Sequence, residues 1–322
     1  MTSLPPDPHL TTKSTRTPLS RPISGGIRTV ALYGPQGLRA GWKALLFIGV
    51  LFSLLFLSTV EIRSIASRMG QNGAIVIGGE IHPALLIVGE AATLIAVLLA
   101  TMAMARLEQH RAADYGLTGT HRLRQFVIGL VSGFGFLSFL IAILITTHHL
   151  TLHATHSSVA YKFHYAGAWG VCFLLVGFTE ELMFRGYLLF TLDRGIGFWP
   201  AAVLLAALFG LMHRGNHGES HFGLIAAALV ALVFSLSLWR LGHLWWAIGF
   251  HAAWDWAQSF FYGTPDSGTV SVGRLMEAHP LGPSTWSGGS TGPEGSVWII
   301  PVLALLAAFV WFSQPKQTSH FH

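Results

Sequence analysis

Along the chain, long apolar runs alternate with short polar connectors, and the runs are too long to be strands. They fall near 44–60, 84–105, 126–147, 167–190, 198–213, 222–239, 243–262 and 297–313. Each is close to the ~20 residues a helix needs to cross a hydrocarbon core. The pattern predicts an all-α, polytopic integral membrane protein with about eight transmembrane helices around an intramembrane cavity. The shortest runs would be tilted, re-entrant or covered by protein. Before the first run, residues 1–40 carry ten Pro and Gly among scattered Lys and Arg, without periodicity, which predicts a flexible cytoplasmic tail. The division expected is this tail, a membrane domain over 41–313 and a short cytoplasmic tail over 314–322.

Composition agrees with the pattern. Of 322 residues, 52% are hydrophobic and 10% charged, against about 25% charged in soluble domains. Mean hydropathy is +0.55. The net charge of +5 does not point to nucleic acid, because most of the basic residues lie in the tail and in short loops beside apolar runs. Arg39 and Lys43 precede the first run, and Arg106, Arg111, Arg122 and Arg124 follow the second. By the positive-inside rule both termini are expected in the cytoplasm and the protein in the cell membrane. A single cysteine, Cys172, excludes an intramolecular disulfide and a multi-cysteine zinc site. Two connectors on the opposite side stand out. One holds His148, His149, His153 and His156, a polar interfacial loop or a metal-binding tract. The other, 263–296, is rich in Gly, Pro, Ser and Thr and is expected to be irregular.

Ionisable residues inside the apolar runs are the candidate chemistry. Glu180, Glu181 and Arg185 lie in the fourth run. Three charges in such a segment cost roughly 8–10 kcal/mol before pairing. Glu181 and Arg185 are four apart and share a helical face, which suits an ion pair; Glu180 points about 100° away and is left for chemistry. The fifth run ends at Phe209–x–x–x–His213, where the ring can wall one side of the imidazole. The seventh contains His251–x–x–x–Asp255, again on one face, a spacing at which a carboxylate can set an imidazole tautomer. The alternatives are a structural ion-pair network for Glu180, Glu181 and Arg185, an interfacial histidine marking a helix end for His213, and a structural pair pinning two helices for His251 and Asp255. Taken together, Glu180, His213, His251 and Asp255 can hold a water and take its proton, or ligate Zn²⁺ through His213, His251 and Glu180. Either route is hydrolysis. No Ser or Thr stands out beside a catalytic histidine, so a covalent route is not indicated.

In this order, Glu180–Glu181–x–x–x–Arg185, Phe209–x–x–x–His213 and His251–x–x–x–Asp255 resemble the EExxxR, FxxxH and HxxxN/D motifs of the CPBP family of intramembrane proteases. Type II CAAX prenyl endopeptidases and bacteriocin-processing (Abi-type) proteins belong to that family. Asn216 after the histidine and the stretch Arg240–Trp245 are similar to family text, and the resemblance covers roughly 165–265. It implies an endopeptidase acting on a membrane-associated or lipidated peptide in the bilayer. Glu180 and His213 would activate water, Glu181, Arg185 and Phe209 would be structural or substrate-positioning, and His251 with Asp255 would form an oxyanion hole. The resemblance gives Glu180 and His213 sufficient roles without a metal, so no cofactor is required on this reading. Where many members carry Asn, this chain has Asp255. An ionised aspartate cannot donate to an oxyanion, so Asp255 must be protonated, orient His251 or help bind a metal. The rival readings are a non-catalytic membrane scaffold or bacteriocin-immunity protein, and a proton- or metal-coupled transporter using Glu90 and Glu180.

Overall fold

A computed structural model describes residues 32–34, 37–68, 76–77, 80–216 and 218–313. The 1–31 part of the N-terminal tail and the 314–322 tail lie outside the described residues, as does His217. Residues 1–39 and 40–322 form separate units. In the first, β1 (Tyr33–Gly34) pairs antiparallel with β2 (Gly37–Leu38).

The second unit is helical apart from short antiparallel strand pairs, the first of them β3 (Val76–Ile77) with β4 (Glu80–Ile81). Its main elements are α1 (Ala40–Arg68), α2 (Pro83–Leu107), α3 (Arg122–Thr146), α4 (Val159–Met183), α5 (Leu189–Ile196), α6 (Phe198–Met212), α7 (His221–Leu241) and α8 (Trp245–Trp256). A single turn α9 (Ser284–Ser287) and a last helix α10 (Ile299–Ser313) follow. Local sequence sets several boundaries. Pro83 opens α2, where its missing N–H is not needed. The hydroxyls of Ser158 and Ser220 accept from Tyr161 N and Gly223 N at the starts of α4 and α7. Gly242, at φ 73°, ends α7 in the left-handed conformation that glycine takes without strain.

All eight apolar runs form helices. Among the described residues six helical stretches are long and apolar enough to cross a membrane: 40–61, 83–107, 122–146, 159–196, 198–215 and 221–241. The runs at 243–262 and 297–313 give α8 and α10, of 12 and 15 residues, which fall short of that length. The 159–196 stretch is α4 and α5 joined through a π-helical turn at Phe184–Leu188, with a kink at Gly186, whose ψ of −124° is not helical. A second π-helical turn, Ala257–Phe261, extends α8. Such turns recur at functional sites because they rotate the side chains beyond them.

Buried between α3, α4 and α7, α8 is the centre of the unit. Gly129 and Gly133 on α3 lie directly against the backbone at Trp246 and Phe250, and Gly249 on α8 meets the backbone of Phe126 and Leu130. A side chain at any of the three would overlap main-chain atoms, so these glycines set the spacing of the two helices.

The two polar connectors differ from expectation. Leu150–Ala154 forms β5 and pairs antiparallel with β6 (Met276–Pro280), in register from Leu150↔Pro280 to Ala154↔Met276. Segment 263–296 is therefore tied down, not irregular throughout. Trp169 Nε1 donates to Val272 O at 2.9 Å, and Gln258 Nε2 to Pro265 O at 2.8 Å. These two side-chain donors satisfy carbonyls of a backbone with little helical structure of its own.

Candidate active site

His251 is the hub of the ionisable cluster. Its Nδ1 lies 3.1 Å from Glu181 Oε1, while its Nε2 lies 3.5 Å from Glu180 Oε2 and 3.4 Å from Asp255 Oδ2. Three carboxyl groups from two helices thus surround one imidazole. With Nδ1–H donating to Glu181, Nε2 faces two carboxyl oxygens. A proton must lie on that shared contact, on the ring or on a carboxyl, because a bare lone pair there would meet only negative charge.

Glu181 also accepts from Arg185 Nη1 at 3.1 Å, the spacing-predicted pair, and both groups are fully buried. The guanidinium packs over the rings of Phe209, Phe234 and Phe184 at 4.6, 5.6 and 5.8 Å. Those faces offer favourable electrostatics to a cation with little water. Glu180, by contrast, leaves 30% of its side chain exposed. Glu90 of α2 lies within electrostatic range of Glu180 and His251.

His213 sits at the end of α6. Its Nδ1 lies 2.9 Å from the carbonyl oxygen of Phe209, and the Phe209 ring packs against the imidazole at 4.9 Å. A carbonyl can only accept, so Nδ1 carries the proton and Nε2 is left with a lone pair. His213, His251 and Asp255 line one small cavity of about 70 Å³. Its apolar walls include Ala226 and Val230 of α7, Trp254 of α8 and Leu303 of α10. Glu180 is not part of that lining, and among the described residues no hydrogen bond or ion pair joins Glu180 to His213.

The sequence reading missed two carboxyl groups of this cavity, Asp266 and Glu294, both from segment 263–296. Asp266 Oδ2 accepts from Ser259 Oγ at 2.9 Å. Glu294 accepts from Ser267 N at 2.6 Å, from Ser267 Oγ at 3.2 Å and from the Gln258 amide. Gln258 and Ser259 belong to the π-helical turn just after Asp255, so the loop acids grip the end of the helix carrying His251. Burial raises the Asp266 carboxyl to about 6, against the pull of the Ser259 hydrogen bond and of the two histidines. Burial, then Asp266, raises Glu294 well above the usual range. The only signal in sequence was the presence of acids in a loop otherwise composed mainly of small and polar residues.

Among the described residues, no three of His, Cys, Asp and Glu converge as ligands on a common point. His213, His251 and Glu180, the set named for Zn²⁺, are not drawn together in this way, although holding Nδ1 of His213 on Phe209 O and of His251 on Glu181 leaves Nε2 as the ring nitrogen that could ligate. The histidine tract does not provide such a group either. His153 lies beside His279 across the β5–β6 ladder, with ring centroids 5.2 Å apart.

Compared with protein families, residues 162–257 match the type II CAAX prenyl endopeptidase Rce1-like family. This stretch holds all three motifs and is similar to that family over its length. The Rce1-like domain starts in the first turn of α4 and ends at the close of α8, so the helices of the His251 hub fall within it. Asp266 and Glu294 fall outside it. No curated protein matches the chain. The apolar helices, together with this match, make the chain a multi-pass membrane protein that carries an Rce1-like stretch.

Proposed function

We propose that the protein is an intramembrane endopeptidase that hydrolyses a peptide bond of a membrane-associated or lipidated substrate without a covalent intermediate. The observation that carries the reading is the cavity itself. It is apolar on the α7 and α10 side, as a lipid-embedded peptide requires, and lined by His213, His251 and Asp255 on the other. His213 offers a free Nε2 as a base, because Nδ1 is committed to Phe209 O.

On this reading Glu180 and His213 between them take a proton from water as its oxygen attacks the carbonyl carbon. The developing oxyanion is stabilised from the His251–Asp255 side, where the proton held between Nε2 and the two carboxyl groups is available to donate. A protonated Asp255 thus replaces the donor that asparagine supplies in many family members. Glu181 and Arg185 hold His251 in place. Glu180→Gln and His213→Ala should each lower kcat/KM on a membrane peptide by ~10²-fold or more, and a chelator should leave wild-type activity unchanged. Full activity in either variant would refute the roles given to these residues, and loss of activity to a chelator that zinc restores would refute the metal-free route.

A further inference from the structure

Peptide hydrolysis needs an acid as well as a base, because an amine leaves poorly as its anion. Three carboxyl groups line the cavity that His213 enters. Asp255 is engaged with His251 Nε2. Glu294 is held by Ser267 and Gln258. Asp266 is held on one oxygen, by Ser259, and its other oxygen has no hydrogen-bond partner among the described residues. The Asp266 backbone is fixed by reciprocal hydrogen bonds with Thr269 at 2.8 Å, so the carboxyl is presented from a closed turn.

We propose that Asp266 is the general acid of the reaction, donating its proton to the departing nitrogen. This rests on the protease reading above. Water oxygen bonds to the carbonyl carbon, and its proton comes to rest on His213 Nε2. The C–N bond then breaks with its electron pair on nitrogen, which takes the proton from Asp266. The products are a carboxylic acid and an amine, and one water is consumed. The proton held at His213 returns to Asp266 through the cavity both line, restoring the starting state.

The electrostatic setting suits the task. Asp266 is faced by His213 from the end of α6, by His251 and Asp255 from α8, by Glu180 from α4 and by Glu294 from its own segment. Burial and acidic neighbours bring its carboxyl to about 6, where it is still partly protonated near neutral pH. Asparagine at this position keeps an acceptor for Ser259 but cannot give up a proton.

The test compares two leaving groups. Wild type and Asp266→Asn, reconstituted in lipid vesicles, are given a membrane-anchored peptide and a matched p-nitrophenyl ester, whose phenolate leaves without protonation. The expected result is a loss of ~10²-fold or more on the peptide and little change on the ester. Should Asp266→Asn fail to fold, Ser259→Ala, which frees the same carboxyl, carries the comparison with a smaller but still amide-selective loss. Equal losses on both substrates would overturn the general-acid role while leaving the protease reading intact. Cleavage of neither substrate by wild type would overturn both.

Discussion

Glu181 satisfies a buried arginine and a buried histidine at once, through a single oxygen at 3.1 Å from each. Glu181→Gln would leave Arg185 buried without a counter-charge, a change that typically destabilises by about 3–5 kcal/mol. Thermal unfolding in detergent should show a large drop for this variant and almost none for Glu180→Gln, whose side chain is partly exposed. Equal melting temperatures for both would contradict the division between the two glutamates. The Glu181–Arg185 pair was legible in sequence because both residues lie on one helix, four apart. The second partner of Glu181 was not. His251 is 70 positions away, and periodicity states which face a residue occupies but not which helix opposes it.

At the scale of elements, the glycines between α3 and α8 and the loop acids behind α8 fix where His251 stands. Gly133→Val would force main-chain atoms apart at Phe250, one residue before the hub. Overpacking of this kind costs about 1–3 kcal/mol, so the variant should unfold earlier and lose activity together; unchanged stability would show that the helices are not held this closely. The loop acids give a pH prediction. Asp266 rises from 3.8 to about 6 on folding, so the native state binds more protons than the unfolded chain. The stability this group contributes is full below its unfolded value and is lost as pH climbs to about 6. Between pH 4 and 6, the wild-type melting temperature should fall relative to Asp266→Asn; parallel curves would contradict the burial of this carboxyl. None of this was legible in the sequence of segment 263–296, whose Gly, Pro and Ser content signals turns. Its order comes from β6 pairing with β5 and from Trp169 and Gln258, which are remote from the turn signals or belong to a different element.

Across the whole molecule, the apolar runs made the helical membrane architecture legible, because lipid leaves few alternatives for a backbone that must satisfy its own hydrogen bonds. The lengths of α8 and α10 were not, since a helix shielded by its neighbours can be as apolar as one in contact with lipid. The three motifs also marked the Rce1-like domain, while the cavity needed α10 and segment 263–296 from beyond its end. The central claim is that this composite cavity hydrolyses peptide bonds at the membrane. It is tested most directly by reconstituting the purified full-length chain in lipid vesicles with a panel of membrane-anchored peptides and reading the products by mass spectrometry. The account predicts a discrete cut by wild type, a new carboxyl terminus carrying one oxygen from labelled water, and no cut by His213→Ala. Cleavage that persists in His213→Ala, or a panel that wild type leaves intact, would contradict it.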